Sequence, residues 1–169
     1  MNISIITFTE NGTKLAEKIR QAFVNTKTEE AKNLGLSLSD WTRQQFAEKN
    51  AIVVIGACGI AVRMIAPFVS DKLSDSPVVV ADEAGTFVIP LLSGHVGGAN
   101  ELAEQIAGQI GEIPVITTAT DVNHTFSVDL FAKKCGLSIY NREGIAKVSA
   151  KILDGKTPDI VISSEKTDL

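Results

Sequence analysis

The chain has 169 residues, enough to bury one proper core, and with 44% hydrophobic but only 5% aromatic residues, Val, Ile, Leu and Ala must build it. A formal charge of −4 with scattered Lys and Arg lacks the basic stripe that binding a phosphate backbone needs, which argues against a nucleic-acid partner. No apolar run approaches the roughly 20 residues of a membrane span, and two cysteines without CxxC spacing or a His companion signal neither a disulfide framework nor a metal site, so a soluble cytoplasmic protein with no membrane partner is expected.

In chain order, residues 3–8 form a β-branched run closed by Glu10, Asn11 and Gly12, and Leu15, Ile19, Ala22 and Phe23 then recur at helical spacing. Residues 25–32 are polar and hold a short edge strand or none. Ser37 and Ser39 offer caps for a helix over about 40–49, anchored by Trp41 and Phe46. A buried strand at 51–55 (AIVVI) ends in Gly56-Ala57-Cys58-Gly59, followed by an amphipathic helix over 60–69 despite Pro67. Residues 77–81 and 87–91 flank the turn Asp82-Glu83-Ala84-Gly85 and predict a β-hairpin, with Pro90 placing its second strand at an edge or at its own end.

A second glycine loop, residues 93–98, precedes a helix lined by Leu102, Ala103, Ile106 and Ile110 and punctuated by Gly111 and Pro114. A strand at 115–118, a loop opening at Thr120-Asp121, a helix at 127–135, a strand at 137–140, a helix at 143–153 and a last strand at 159–163 complete the alternation. The fold class read from this order is α/β: a mostly parallel sheet with helices on both faces, three-layered and Rossmann-like, with a short β-hairpin, in one region spanning 1–169. In such sheets ligands sit beyond the carboxyl ends of the strands, and both glycine loops, the 82–85 turn and residues 117–121 are placed where they can share that edge.

The run GACGIAVR brings backbone close to a ligand and points helix N–H groups at an anion, with Gly56 and Gly59 at the turn and Arg63 one turn on to clamp a carboxylate or pair with a surface acid. It matches neither the Walker A loop nor the GxGxxG fingerprint, which counts against a nucleotide- or sugar-phosphate-binding enzyme. Turning a buried strand into a helix is the plain alternative. Cys58 reads as a small core residue rather than a nucleophile.

His95, inside SGHVGGAN, is flanked by glycines and stands near a helix start, which suits an acid-base or ligand-contact role as well as a loop histidine bound to a neighbouring carbonyl. Ser93, Gly94, Gly97, Gly98 and Asn100 complete the binding set of that loop, with local capping as the competing account. Asp82 and Glu83 follow a strand, where a carboxylate can act as a base or orient His95; turn chemistry also explains them. Thr117, Thr118, Thr120 and Asp121 form a polar strand end suited to a large polar ligand, with helix capping by Thr120 or Asp121 as the competing account, and His124 reads as a surface residue.

Together, GACGIAVRMIAP, VVVADEAGTFVIPLLSGHVGGANELA and PVITTATD resemble the N-terminal region of the cobalt-precorrin-5A hydrolase family (CbiG) of anaerobic cobalamin synthesis. The likeness covers about 51–129, and 137–163 fits less distinctively. It implies a hydrolase that opens the δ-lactone of cobalt-precorrin-5A and releases acetaldehyde, with no nucleotide or redox cofactor and with cobalt carried by the substrate. His95 or Glu83 then activates the water, and N–H groups around Gly97 and Gly98 hold the oxyanion. Members usually continue into a further C-terminal domain. A separate C-terminal domain or chain and a homodimer are the partners left open, and a non-catalytic corrinoid-binding module that needs such a partner is the alternative to an enzyme.

Overall fold

Every position of strands Ile3–Thr7 (β1), Ala51–Ile55 (β3) and Val78–Ala81 (β4) is buried, as expected for apolar parallel strands covered on both faces. A computed structural model describes residues 1–161. With Thr26–Glu30 (β2), Phe87–Leu92 (β5) and Ile113–Pro114 (β6), these strands form one six-stranded sheet in the order β2-β1-β3-β4-β5-β6. The first four run parallel, β5 returns antiparallel to β4 as the predicted hairpin, and β6 lies parallel to β5.

Successive residues of each strand face opposite layers. On one face Ile5, Val53, Ile55, Val79 and Ala81 pack against Leu15 and Ile19 of α1 (Glu10–Ala22) and Leu102 and Ile106 of α4 (Ala99–Ile110). On the other, Ile6, Ile52, Val54, Val78 and Val80 meet Trp41 and Phe46 of α2 (Leu38–Ala47) and Met64 of α3 (Cys58–Ile65). The period of two that distributes these side chains is the pleat itself.

Local chemistry sets the boundaries. The Thr9 hydroxyl accepts the Gly12 N–H at 3.0 Å and starts α1, and Ser37 does the same for Asp40 N–H at 3.0 Å and starts α2 two residues earlier than the spacing suggested. The helix expected over 60–69 begins at Cys58 and ends at Ile65, where Pro67, lacking an N–H, turns the chain into a 3-10 segment, Ala66–Phe68. Gly111 closes α4 in the left-handed conformation at φ 76°. The polar TKTEE segment is an edge strand, which its half-exposed residues tolerate. Pro90 pairs with Val79 at a register irregularity, beyond the two residues of β5 that pair with β6, so its missing donor breaks no ladder bond on that side.

The chain divides into two compact units, Met1–Ile116 and a second that begins at Thr117. All six strands belong to the first. The strand predicted at 115–118 is replaced by β6 at 113–114; Pro114 has no N–H to extend the ladder, although Val115 N–H still reaches Val88 O at 2.8 Å. The second unit contains α5 (Ala119–Val122), α6 (Val128–Lys134) and α7 (Arg142–Leu153), with Ala132 and Ile145 buried. Residues 137–140 form no strand: Leu137 is 48% and Tyr140 101% exposed, so the apolar alternation there faces no covering layer. Residues 159–161 are likewise outside any strand, and 162–163 lie outside the described residues.

Candidate functional site

The strand order decides where the first unit opens. β1 leads into α1 on one face and β3 into α3 on the other, so the two connections diverge beyond the carboxyl ends of adjacent strands. A crevice at such a reversal is the usual ligand position of a doubly wound sheet. Phe8, Ile55 and Ile60 form its apolar floor and walls, and Thr9, Asp82, Glu83 and the backbone of Gly56 and Ala57 supply its polar rim. Its volume is about 290 Å³. That is the lower end for a small-molecule pocket and suits the reacting edge of a large ligand rather than the whole of one.

Each polar group there has a local origin. Glu83 follows β4, and its Oε2 accepts a 2.6 Å hydrogen bond from Thr9 Oγ1, the same hydroxyl that caps α1. Asp82 is committed to the turn. Its Oδ1 accepts Ala84 N–H at 3.0 Å, and its Oδ2 accepts the N–H groups of Thr86 at 3.0 Å and Phe87 at 2.6 Å, so the turn-chemistry reading holds for Asp82. Across the crevice, α3 begins at Cys58 with no side chain capping its first turn, and its N-terminal dipole end favours negative charge. Arg63 does not reach the crevice rim or a surface acid; its Nη1 donates to Gly59 O of its own helix at 3.0 Å.

The second glycine loop stands at the other end of the sheet. Because β5 runs antiparallel, Leu92 lies beside Val78 at the start of β4, while Val88 lies beside Ala81 at its end. Between those positions β5 covers four residue steps, about 14 Å at ~3.4 Å per residue. Ser93, Gly94, His95, Gly97, Gly98 and Asn100 therefore follow β5 at the edge opposite Gly56, Gly59 and Glu83, and the shared edge read from the sequence is not formed. Glycine loops look alike whichever way a strand runs; only the hairpin direction separates them.

That loop is closely folded rather than open. Gly98 N–H donates to His95 O, Ala99 N–H to Ser93 O and Asn100 N–H to Gly94 O, each at 3.1 Å, so Gly98 is not a spare oxyanion donor. A Cβ at Gly97 would come within 2.7 Å of Ser93 O, and one at Gly94 within 2.6 Å of Asn100 Oδ1. Ser93 itself takes φ 57°, a left-handed conformation costly for a side chain, and its buried Oγ has no hydrogen-bond partner, so it is not a cap. In the second unit, Thr117 is exposed, Thr118 stands at the N-cap of α5 and Asp121 lies in its first turn; His124 is exposed, as read from the sequence.

Three contributors escaped the sequence reading. Phe8 was read as the end of the first strand, which stops at Thr7, and Thr9 lies in the break after it, where no glycine motif marks a site. Glu112, beyond the end of α4, projects its carboxyl over Gly85 with one oxygen buried and unpartnered. Burial, then repulsion from Asp82, outweighs attraction to Lys18 and pushes its pKa up to about 7.

Residues 40–121 match the cobalamin synthesis G N-terminal family, a span that includes both glycine loops and the 82–85 turn. This stretch of the chain belongs to the cobalamin synthesis G family. The family's curated relatives are longer. The chain is 44% identical over 138 residues to the cobalt-precorrin-5A hydrolase of Salmonella typhimurium, covering 78% of this chain and 39% of that protein. To the cobalt-precorrin-5A hydrolase of Priestia megaterium it is 43% identical over 119 residues, covering 70% and 32%. A probable cobalt-precorrin-5A hydrolase from Methanocaldococcus jannaschii is 30% identical over 159 residues, covering 91% and 46%. The chain thus spans less than half the length of each. A crystal structure of a cobalamin biosynthesis protein G homolog from Sulfolobus solfataricus shares the fold, with a TM-score of 0.55 at 23% identity over 99% of this chain and 51% of that one.

Proposed function

We propose that this chain is the N-terminal part of an enzyme that hydrolyses cobalt-precorrin-5A, opening its δ-lactone and releasing acetaldehyde, and that the reaction takes place at the crevice between β1 and β3. The observation that carries the activity is the 44% identity to the Salmonella typhimurium cobalt-precorrin-5A hydrolase over 78% of the chain. The strand reversal favours the crevice as the place. Cobalt belongs to the substrate. The macrocycle is far larger than the 290 Å³ crevice, so the remaining length of the family proteins covers it.

In this proposal the Glu83 carboxylate takes a proton from a water molecule as that water's oxygen bonds to the lactone carbonyl carbon. Thr9 fixes the carboxylate's second oxygen, which leaves the other for the water. The oxyanion formed at the carbonyl faces the uncapped first turn of α3, the available positive end at this edge. Collapse breaks the ring C–O bond and the alkoxide takes the proton back from Glu83, giving an alcohol and a carboxylic acid that releases its proton to solvent. Glu83 then takes the alcohol proton as the adjacent C–C bond breaks, acetaldehyde leaves, and the electron pair left on the macrocycle picks up that proton. One water is consumed. His95 has no part in these steps because it stands at the opposite edge.

The test is to incubate cobalt-precorrin-5A with the chain, alone and with the C-terminal portion of a family member supplied as a separate polypeptide, while trapping acetaldehyde and following the corrinoid mass. Acetaldehyde in step with the mass change is expected once both parts are present. No acetaldehyde under either condition would overturn the proposal.

A further inference from the structure

The turn that carries Glu83 rests on a group that the sequence reading passed over. Gly85 takes φ 72° and leaves so little space that a Cβ there would overlap Glu112 Oε1, with Leu15 Cδ1 of α1 at 3.3 Å on the same side. Glu112 Oε2 is buried and makes no hydrogen bond. A neutral carboxyl tolerates this seat; a carboxylate is deprived of water on one oxygen and faces Asp82, whose oxygens accept three turn N–H groups. The charged groups acting on Glu112 are Asp82 from the β4–β5 turn and Lys18 from α1, and the repulsion together with burial outweighs the attraction.

We propose that Glu112 is a positioning residue for the Glu83 turn: neutral, it packs over Gly85 and holds the turn in place, and once ionised it withdraws toward water and loosens the turn. Its ionisation near neutral pH, at about 7, makes the switch relevant to ordinary conditions. The consequence for catalysis rests on the crevice being the reaction site, because only then does the seating of Glu83 against Thr9 matter to turnover. The coupling between Glu112 and the turn does not depend on that reading.

The test follows the backbone amides of Ala84, Thr86 and Phe87, which report the Asp82 bonds, by NMR of the whole chain from about pH 5 to about pH 9. In the wild type these amides are expected to shift with a common midpoint near 7. In Glu112→Gln, a neutral isostere that keeps the packing, the transition disappears, and in Lys18→Met, which removes the compensating charge, the midpoint moves up. No transition in the wild type, or the same transition surviving in Glu112→Gln, would overturn the proposal. An intact amide titration in a chain that releases no acetaldehyde even with the C-terminal portion supplied would sink the proposed function and leave the Glu112 coupling standing.

Discussion

Thr9 Oγ1 and Glu83 Oε2 meet at 2.6 Å across 74 residues of sequence, joining the first connection of the sheet to the turn after its fourth strand. The bond ties the two sides of the crevice through one hydroxyl that also accepts the Gly12 N–H. A single side chain thus starts a helix and orients a carboxylate.

Replacing that hydroxyl separates its two roles from mere volume. Thr9→Val keeps the shape and loses both bonds, and it is expected to cost about 0.5–2 kcal/mol, the range for a lost N-cap. Thr9→Ser retains both and stays near the wild type. Glu83→Gln, at an exposed position, changes stability little. Urea denaturation of the three variants measures the differences.

Ser93 is expected to behave oppositely to a stabilising residue. Its buried hydroxyl has no partner, so Ser93→Ala removes a desolvation cost and raises stability by up to about 1 kcal/mol. Gly97→Ala drives a Cβ against the Ser93 backbone and lowers it by about 1–3 kcal/mol, as overpacking does. Thermal melting of the pair tests the close folding of the loop: equal effects of one sign would contradict it.

Stability should also depend on pH through Glu112. Its folded pKa is raised from 4.5 to about 7, so the folded state holds this proton more tightly than the unfolded chain. The contribution is full below the unfolded value and is lost as pH rises through about 7. Wild-type stability therefore falls over that window relative to Glu112→Gln, whose curve is flatter there. Denaturation midpoints for both proteins across this pH range give the comparison, and parallel curves would contradict it.

The layers of the fold were legible because apolar strands and amphipathic helices carry their periods openly: AIVVI and PVVVA became buried strands, and Leu102, Ala103 and Ile106 became the inner face of α4. The α/β class and the hairpin at 82–85 followed from the same patterns. The hairpin already implies that β5 runs back, and SGHVGGAN was placed on the edge of GACGIAVR because a glycine loop before a helix looks the same at either edge and the reversal was not carried through to it. Thr9 was illegible as a site residue because its role comes from a contact with a residue distant in sequence. The weak alternation of residues 137–140 lacked a neighbouring strand to make it one.

The most direct test of the account is the rate of acetaldehyde release from cobalt-precorrin-5A by the chain with its C-terminal counterpart, compared among wild type, Glu83→Gln and His95→Ala. If the crevice at β1 and β3 holds the reaction, Glu83→Gln loses roughly 10²–10⁴-fold, the share of a general base, while His95→Ala retains the chemistry at the far edge of the sheet. A Glu83→Gln protein that remains folded and releases acetaldehyde at the wild-type rate, with activity lost instead in His95→Ala, would place the reaction at the other glycine loop and contradict the account.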